Sequence, residues 1–173
     1  SKKIIPLSKI NNLSKFLTKK IILDLKNIKL KKKNFANLNF LNTPNIMGVL
    51  NLTPDSFSDG GKFNSKKRGI DHALKMFQSG ANIIDIGGES TRPGSKSVDK
   101  NLEWKRIEKI LRPICKKIPI SLDTRKSEIM RKGINYGVKI INDVSGLSYD
   151  SETINILKKY KIPFIIQHSQ GLP

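Results

Sequence analysis

From residue 46 onward, short apolar runs alternate with amphipathic segments in a regular order, and no other feature limits the fold as tightly. The runs are Ile46–Leu50, Ile83–Ile86, Pro119–Leu122, Val138–Ile141 and Phe164–Ile166. Short, mainly apolar runs of this kind suit strands covered on both faces of a parallel sheet. Between them, Arg68–Phe77 sets Ile70, Ala73, Leu74 and Phe77 on one helical face. A longer helix is predicted over Asp99–Lys116, with Leu102, Ile107, Ile110, Leu111 and Ile114 inward, and two more over Ser127–Tyr136 and Glu152–Tyr160. Gly80, Pro119, Gly137 and Pro163 punctuate the returns to the next strand. Strands alternating with helices over such short connections predict parallel βα units in an α/β fold.

Polar residues stand at the end of each run. The tips read Asn51, Asp85, Asp123, Asn142 and His168. A (β/α)8 TIM barrel builds its active site from the carboxyl ends of several successive strands. A doubly wound sheet binds only at the crevice where strand order reverses, so a full series of polar tips favours the barrel. Acids directly after Ile-rich runs would be costly to bury without a ligand or partner.

The loops beyond the tips carry short polar groups. In the stretch from Asn51 to Gly61, Asn51 offers an amide oxygen to a hard cation or a substrate oxygen. Asp55 and Asp59 suit indirect Mg2+ ligation or a developing cation, with loop bracing the alternative for Asp55, and Gly60-Gly61 lets such a loop close and open. The stretch from Asp85 to Gly94 pairs adjacent glycines with Arg92, a group that clamps carboxylates or phosphates. Asp85 and Glu89 read as braces for backbone amides. Asp123 accepts N–H donors from a heterocycle edge while Asn142 donates and accepts beside it; Asp143 points the other way and reads as a cap or brace. His168 contacts a diphosphate or serves as a structural histidine. His72, Met76 and Trp104 fit surface or helix packing, and Cys115 has no partners at zinc-ligand spacing. Neither a dinucleotide fingerprint nor a P-loop is present.

Charge is the other anomaly. The formal net charge is +19, and residues 1–45 hold eleven lysines against one acid, Asp24. Such a balance suggests nucleic acid, but arginine is scarce and no nucleic-acid motif surrounds Lys29–Lys33. A background Lys/Asn/Ile bias, with some help to anionic substrates, explains it better. No apolar run reaches the length of a membrane span, and a single cysteine excludes a disulfide framework, which points to a reducing, cytoplasmic setting. Residues 1–20 read as a basic amphipathic extension and residues 21–45 as an N-terminal hairpin and lead-in, with short strands at Ile21–Leu25 and Ile28–Leu30; residues 46–173 form the barrel portion.

Together, Asn51–Gly61, Asp85–Gly94, Asp123-Thr124-Arg125 and Asn142–Gly146 closely resemble the dihydropteroate synthase family. The resemblance implies a (β/α)8 barrel that condenses 6-hydroxymethyl-7,8-dihydropterin diphosphate with 4-aminobenzoate, releases diphosphate and uses Mg2+. It implies that Asn51 contacts Mg2+ and diphosphate, and that Thr91, Asp123 and Asn142 line the pterin pocket. It also assigns Phe57, Asp59, Arg92 and Pro93 to mobile loops around diphosphate and aminobenzoate, with Asp59 stabilising the pterin methylene cation. His168 and Gln170 fall among the substrate-binding positions, although Ser169 stands where the family has a large apolar residue. A full barrel takes about 250 residues, so five strands read as its front part. Its activity then depends on the remainder, from a longer chain or a complementing C-terminal polypeptide. A homodimer is the other implied partner; a pterin-binding remnant without catalysis is the alternative function.

Overall fold

A computed structural model describes residues 6–30, 34–36, 38–39, 44–53, 66–90, 95 and 97–167. The chain forms two compact units, residues 1–33 and 34–173. In the first, a 3-10 turn (Leu7–Asn12) leads into helix α1 (Lys15–Lys29). Ser14 caps α1 by accepting the Leu17 N–H at 3.4 Å, and the Thr18 hydroxyl donates to the Ile10 carbonyl at 3.0 Å. The strands expected at Ile21–Leu25 and Ile28–Leu30 are a misreading, because the first stretch and most of the second lie inside α1. Leu17, Ile21, Leu25 and Ile28 recur at helical spacing, and the Ser14 cap supplies the start signal that a strand reading overlooks.

The second unit opens with a minimal antiparallel ladder, β1 (Asn34–Phe35) against β2 (Leu38–Asn39). Next in the chain are β3 (Met47–Asn51), α2 (Lys66–Gln78), β4 (Ile83–Gly87), α3 (Lys100–Ile114) and β5 (Ile120–Asp123). Then come α4 (Ser127–Tyr136), β6 (Ile140–Asp143), α5 (Thr153–Tyr160) and β7 (Phe164–Ile166). The five strands β3 to β7 are all parallel and lie side by side in sequence order. Sequential order without reversal is that of a barrel wall, so the chain holds an incomplete (β/α)8-type barrel.

Register sorts the strand side chains into two sets. Leu50, Ile86, Leu122 and Ile141 are aligned across β3 to β6 and pack with Ala73, Ile107, Ile110, Leu111, Ile129, Met130 and Leu157 from the four helices α2 to α5. The alternate set, Val49, Asp85, Ser121 and Ile140, faces away from the helices, with Asn51, Gly87, Asp123 and Asn142 one layer higher. The expected inward face of α3 is correct for Ile107, Ile110, Leu111 and Ile114; Leu102 instead is 46% exposed, and the buried position on that turn belongs to Glu103. Trp104 packs at the edge of the core, its ring 5.5 Å from that of Tyr136. Among the described residues no helix is long and apolar enough to cross a membrane.

Gly133 shows how closely α4 lies on the sheet. A Cβ there would stand 2.3 Å from Leu122 Cδ2, and Leu122 is fully buried. Gly133→Ala gains about 1 kcal/mol in helix propensity, while forcing Leu122 out of its packed rotamer costs about 1–3 kcal/mol. Urea denaturation should therefore show a less stable variant; an increase in midpoint would mean that the core yields there at little cost.

Candidate active site at the carboxyl ends of the strands

Asn51, Gly87, Asp123 and Asn142 are in-register neighbours at the carboxyl ends of β3 to β6. The site is therefore a row of adjacent strand ends. The Leu52 N–H donates to the Gly87 carbonyl at 2.8 Å, and the Thr124 N–H to the Asn142 carbonyl at 3.2 Å, so pairing continues past the tips. Gly87 leaves room for its neighbour: a Cβ there would lie 3.1 Å from Asp123 Oδ2.

The sequence reading places Asp85 at a tip, but β4 runs on through Ile86 and Gly87, which sets Asp85 one layer deeper. It is 5% exposed. Its side chain takes its hydrogen bond from a side chain rather than from the backbone amides expected of a brace: Asn142 Nδ2 donates to Asp85 Oδ2 at 3.0 Å. The other oxygen, Oδ1, is buried on the strand next to the buried Ser121 hydroxyl, which helps to offset the cost of burying the carboxyl, and neither atom has a further hydrogen-bond partner among the described residues. Burial pushes the Asp85 carboxyl above the usual carboxylate range, and hydrogen bonding offsets part of this. Asp123 is pushed further, to about 7, first by burial and then by the negative charges of Asp85, Glu103, Asp143 and Glu89. Such a carboxyl seeks N–H donors, and no described residue donates one.

A second cluster holds the loops around Asp123. Glu89 Oε2 accepts from Arg125 Nε at 2.9 Å and Glu89 Oε1 from Arg125 Nη2 at 3.2 Å, while the Val98 N–H donates to Oε1 at 2.8 Å. The expected bracing of a backbone amide by Glu89 is met. Lys126 Nζ lies 3.0 Å from Glu89 and 2.5 Å from Glu103 Oε2, whose partner oxygen accepts from the Thr124 hydroxyl at 2.6 Å. Although burial works the other way, hydrogen bonds from Arg125, the Val98 N–H and Lys126 hold the Glu89 carboxyl down to about 2. Tyr149 closes the cluster, with the Arg125 guanidinium 4.0 Å above its ring. The end of β4, the β5–α4 link and the first turn of α3 are thus tied by one set of charges. Asp143 is also a brace, as expected, accepting the Ser145 N–H at 2.8 Å.

The roles of Glu103, Lys126 and Tyr149 escape a sequence reading. Glu103 has one legible signal: it falls on the stripe of Ile107, Ile110, Leu111 and Ile114, where a carboxylate needs a buried partner. The structure sets Asn51, Asp123 and Asn142 at the carboxyl ends of β3, β5 and β6, with Asp123 and Asn142 adjacent and Gly87 of β4 between Asn51 and Asp123. Asp55, Phe57, Asp59, Thr91, Arg92, Pro93, His168 and Gln170 lie outside the described residues. Among the described residues no three His, Cys, Asp or Glu side chains form a metal-binding group.

Comparison with known proteins agrees with this geometry. The family described as "Pterin binding enzyme" matches residues 47–173. The dihydropteroate synthase of Synechocystis sp. is 44% identical over 130 residues, covering 74% of this chain and 45% of the relative. A Yersinia pestis dihydropteroate synthase solved with a sulfonamide drug complex superposes with a TM-score of 0.74 at 36% identity, covering 81% of this chain and 52% of that one. A Xanthomonas albilineans dihydropteroate synthase with 4-aminobenzoic acid gives 0.72 at 34% identity, covering 82% and 53%. The chain spans about half the length of these relatives.

Proposed function

The chain belongs to the pterin-binding enzyme family, and from that premise we propose that its site takes the pterin ring of 6-hydroxymethyl-7,8-dihydropterin diphosphate for transfer to 4-aminobenzoate. The observation that carries this reading is the adjacency of Asp123 and Asn142 at the ends of β5 and β6, over the buried Asp85. A pterin presents an edge of N–H donors, which an ionised Asp123 accepts. In the transfer, the bond from the pterin methylene carbon to the diphosphate oxygen breaks and its electron pair leaves with diphosphate. A bond from the arylamine nitrogen to that carbon forms, and the nitrogen loses a proton.

Family resemblance supplies the remaining parts of the proposal. Asp59 balances positive charge on the methylene group, and Arg92 clamps the aminobenzoate carboxylate. Phe57, Thr91 and Pro93 shape the walls, and His168 and Gln170 lie toward the diphosphate and pterin. Asn51 offers one hard amide oxygen at the exposed end of β3, and that donor fits Mg2+, which keeps several waters and takes substrate phosphate oxygens. Bound there, Mg2+ would neutralise charge on the departing diphosphate. The proposal also takes residues 46–173 as the partial barrel; the boundary expected between the basic extension (1–20) and the lead-in (21–45) falls inside α1. A cytoplasmic location belongs to the proposal too, resting on the free thiol of Cys115, as do completion of the barrel by further sequence or a complementing C-terminal polypeptide, and a homodimer.

Because the chain spans about half of its relatives, pterin binding without turnover is the second reading. Calorimetry with the pterin diphosphate, paired with a diphosphate-release assay with 4-aminobenzoate, separates them. Heat with release supports the synthase, and heat without release supports the binding reading. Absence of heat would overturn both.

A further inference from the structure

We propose that Asp85 is a positioning residue that sets the orientation of the Asn142 side-chain amide, so that Asn142 presents its carbonyl oxygen to the ligand beside the Asp123 carboxylate. The inference rests on the pterin reading above and deepens it. Asn142 has two chemically opposite faces, an NH2 donor and a carbonyl acceptor, and its position at a strand tip does not choose between them. Asp85 chooses. It lies in the middle of β4, one layer below the tips, and is 5% exposed. Its Oδ2 receives Asn142 Nδ2 at 3.0 Å. An ionised carboxylate only accepts, so a flipped amide would set oxygen against oxygen in a place that water screens poorly. With Nδ2 committed inward, Oδ1 is left for the ligand, and no described residue donates to it.

This arrangement gives the site a specificity. Asp123 and Asn142 are in-register neighbours, and with the amide held this way both present acceptors. Two adjacent acceptors match a heterocycle edge of consecutive N–H donors and repel an edge that carries a carbonyl or an unprotonated ring nitrogen at the same place. Without Asp85 the amide would serve either edge, and this discrimination would be lost. Asp85 thus acts on the ligand through Asn142, without touching it.

Two measurements on the full chain test this. In the first, NMR without ligand follows hydrogen exchange of the Asn142 side-chain NH2, which should be protected in the wild type. Asp85→Ala should lose that protection by roughly tenfold or more. Unchanged exchange would overturn the proposal. In the second, calorimetry with 6-hydroxymethylpterin compares Asp85→Asn in two backgrounds. The substitution should weaken binding by roughly tenfold in the wild type and by less than about twofold beside Asn142→Ala, because coupled residues do not add. Equal losses in both backgrounds would give Asp85 a direct or general structural role and overturn the inference. A wild type that binds no pterin would refute the proposed function instead, and the exchange comparison would still decide what Asp85 does.

Discussion

Asp123→Asn should abolish useful pterin affinity and at the same time raise the stability of the protein at neutral and alkaline pH. Both effects have one cause. The Asp123 carboxyl is half-buried, and desolvation together with the negative charges of Asp85, Glu103, Asp143 and Glu89 lifts its pKa from 3.8 to about 7. A group whose folded pKa lies above its unfolded value favours the folded state fully below the unfolded pKa, and this contribution fades as pH rises through the folded pKa. The wild type therefore loses stability, relative to the variant, between about pH 4 and pH 7. Asparagine has nearly the same shape and no charge to desolvate. Above pH 7 it should stabilise by about 2–4 kcal/mol, with little difference near pH 4. Affinity runs the opposite way. Only the ionised carboxylate accepts two N–H donors, so wild-type affinity should climb as pH rises through about 7. The variant should bind about a hundredfold more weakly and without that pH dependence. Thermal denaturation and calorimetry at pH 5 and pH 8 test both halves. A pH-independent stability difference would show that Asp123 is ionised in the folded chain throughout that range.

Lys126→Met should be the most damaging single change to the fold. Lys126 Nζ lies between Glu103 and Glu89, and Glu103 is 0% exposed. Its removal leaves a buried carboxylate with, among the described residues, only the Thr124 hydroxyl bonded to it, a loss of about 3–5 kcal/mol. Most of this cost is the stranded charge rather than the lost attraction, so Glu103→Gln in the Lys126→Met background should recover a large part of it. Urea denaturation of the two single variants and the double variant gives the cycle. Losses that simply add would mean that Glu103 finds water when Lys126 is gone. The pH behaviour has the sign opposite to that of Asp123. Glu89 is held down from 4.5 to about 2, so its contribution is present above pH 4.5 and is lost as pH falls toward 2.

Local pattern carries much of the architecture. Every strand from β3 to β7 and every helix from α2 to α5 is legible to within a few residues, because each is a short, mainly apolar run or carries an apolar stripe at helical spacing. The Asn51, Asp123 and Asn142 positions are legible too, since a polar group directly after an apolar run marks a strand end. The misreadings have equally local causes. Over Ile21–Leu25, a dense apolar stretch mimics a strand when the Ser14 cap is overlooked. At Asp85, the end of the apolar run is taken for the end of the strand, although Ile86 and Gly87 continue the pairing.

The sequence by itself determined that this chain would build parallel βα units with an acidic and amidic rim, because periodicity and strand-end polarity are properties of neighbours along the chain. Its +19 charge, the feature that first suggests nucleic acid, is compatible with that rim and does not define it. Only the tertiary structure decided which polar groups meet. Lys126 joins Glu89 and Glu103 across intervals of 37 and 23 residues, and Asn142 reaches Asp85 across 57. Such pairings depend on register and burial, since a carboxylate gains a fixed partner only once the fold has taken it out of water.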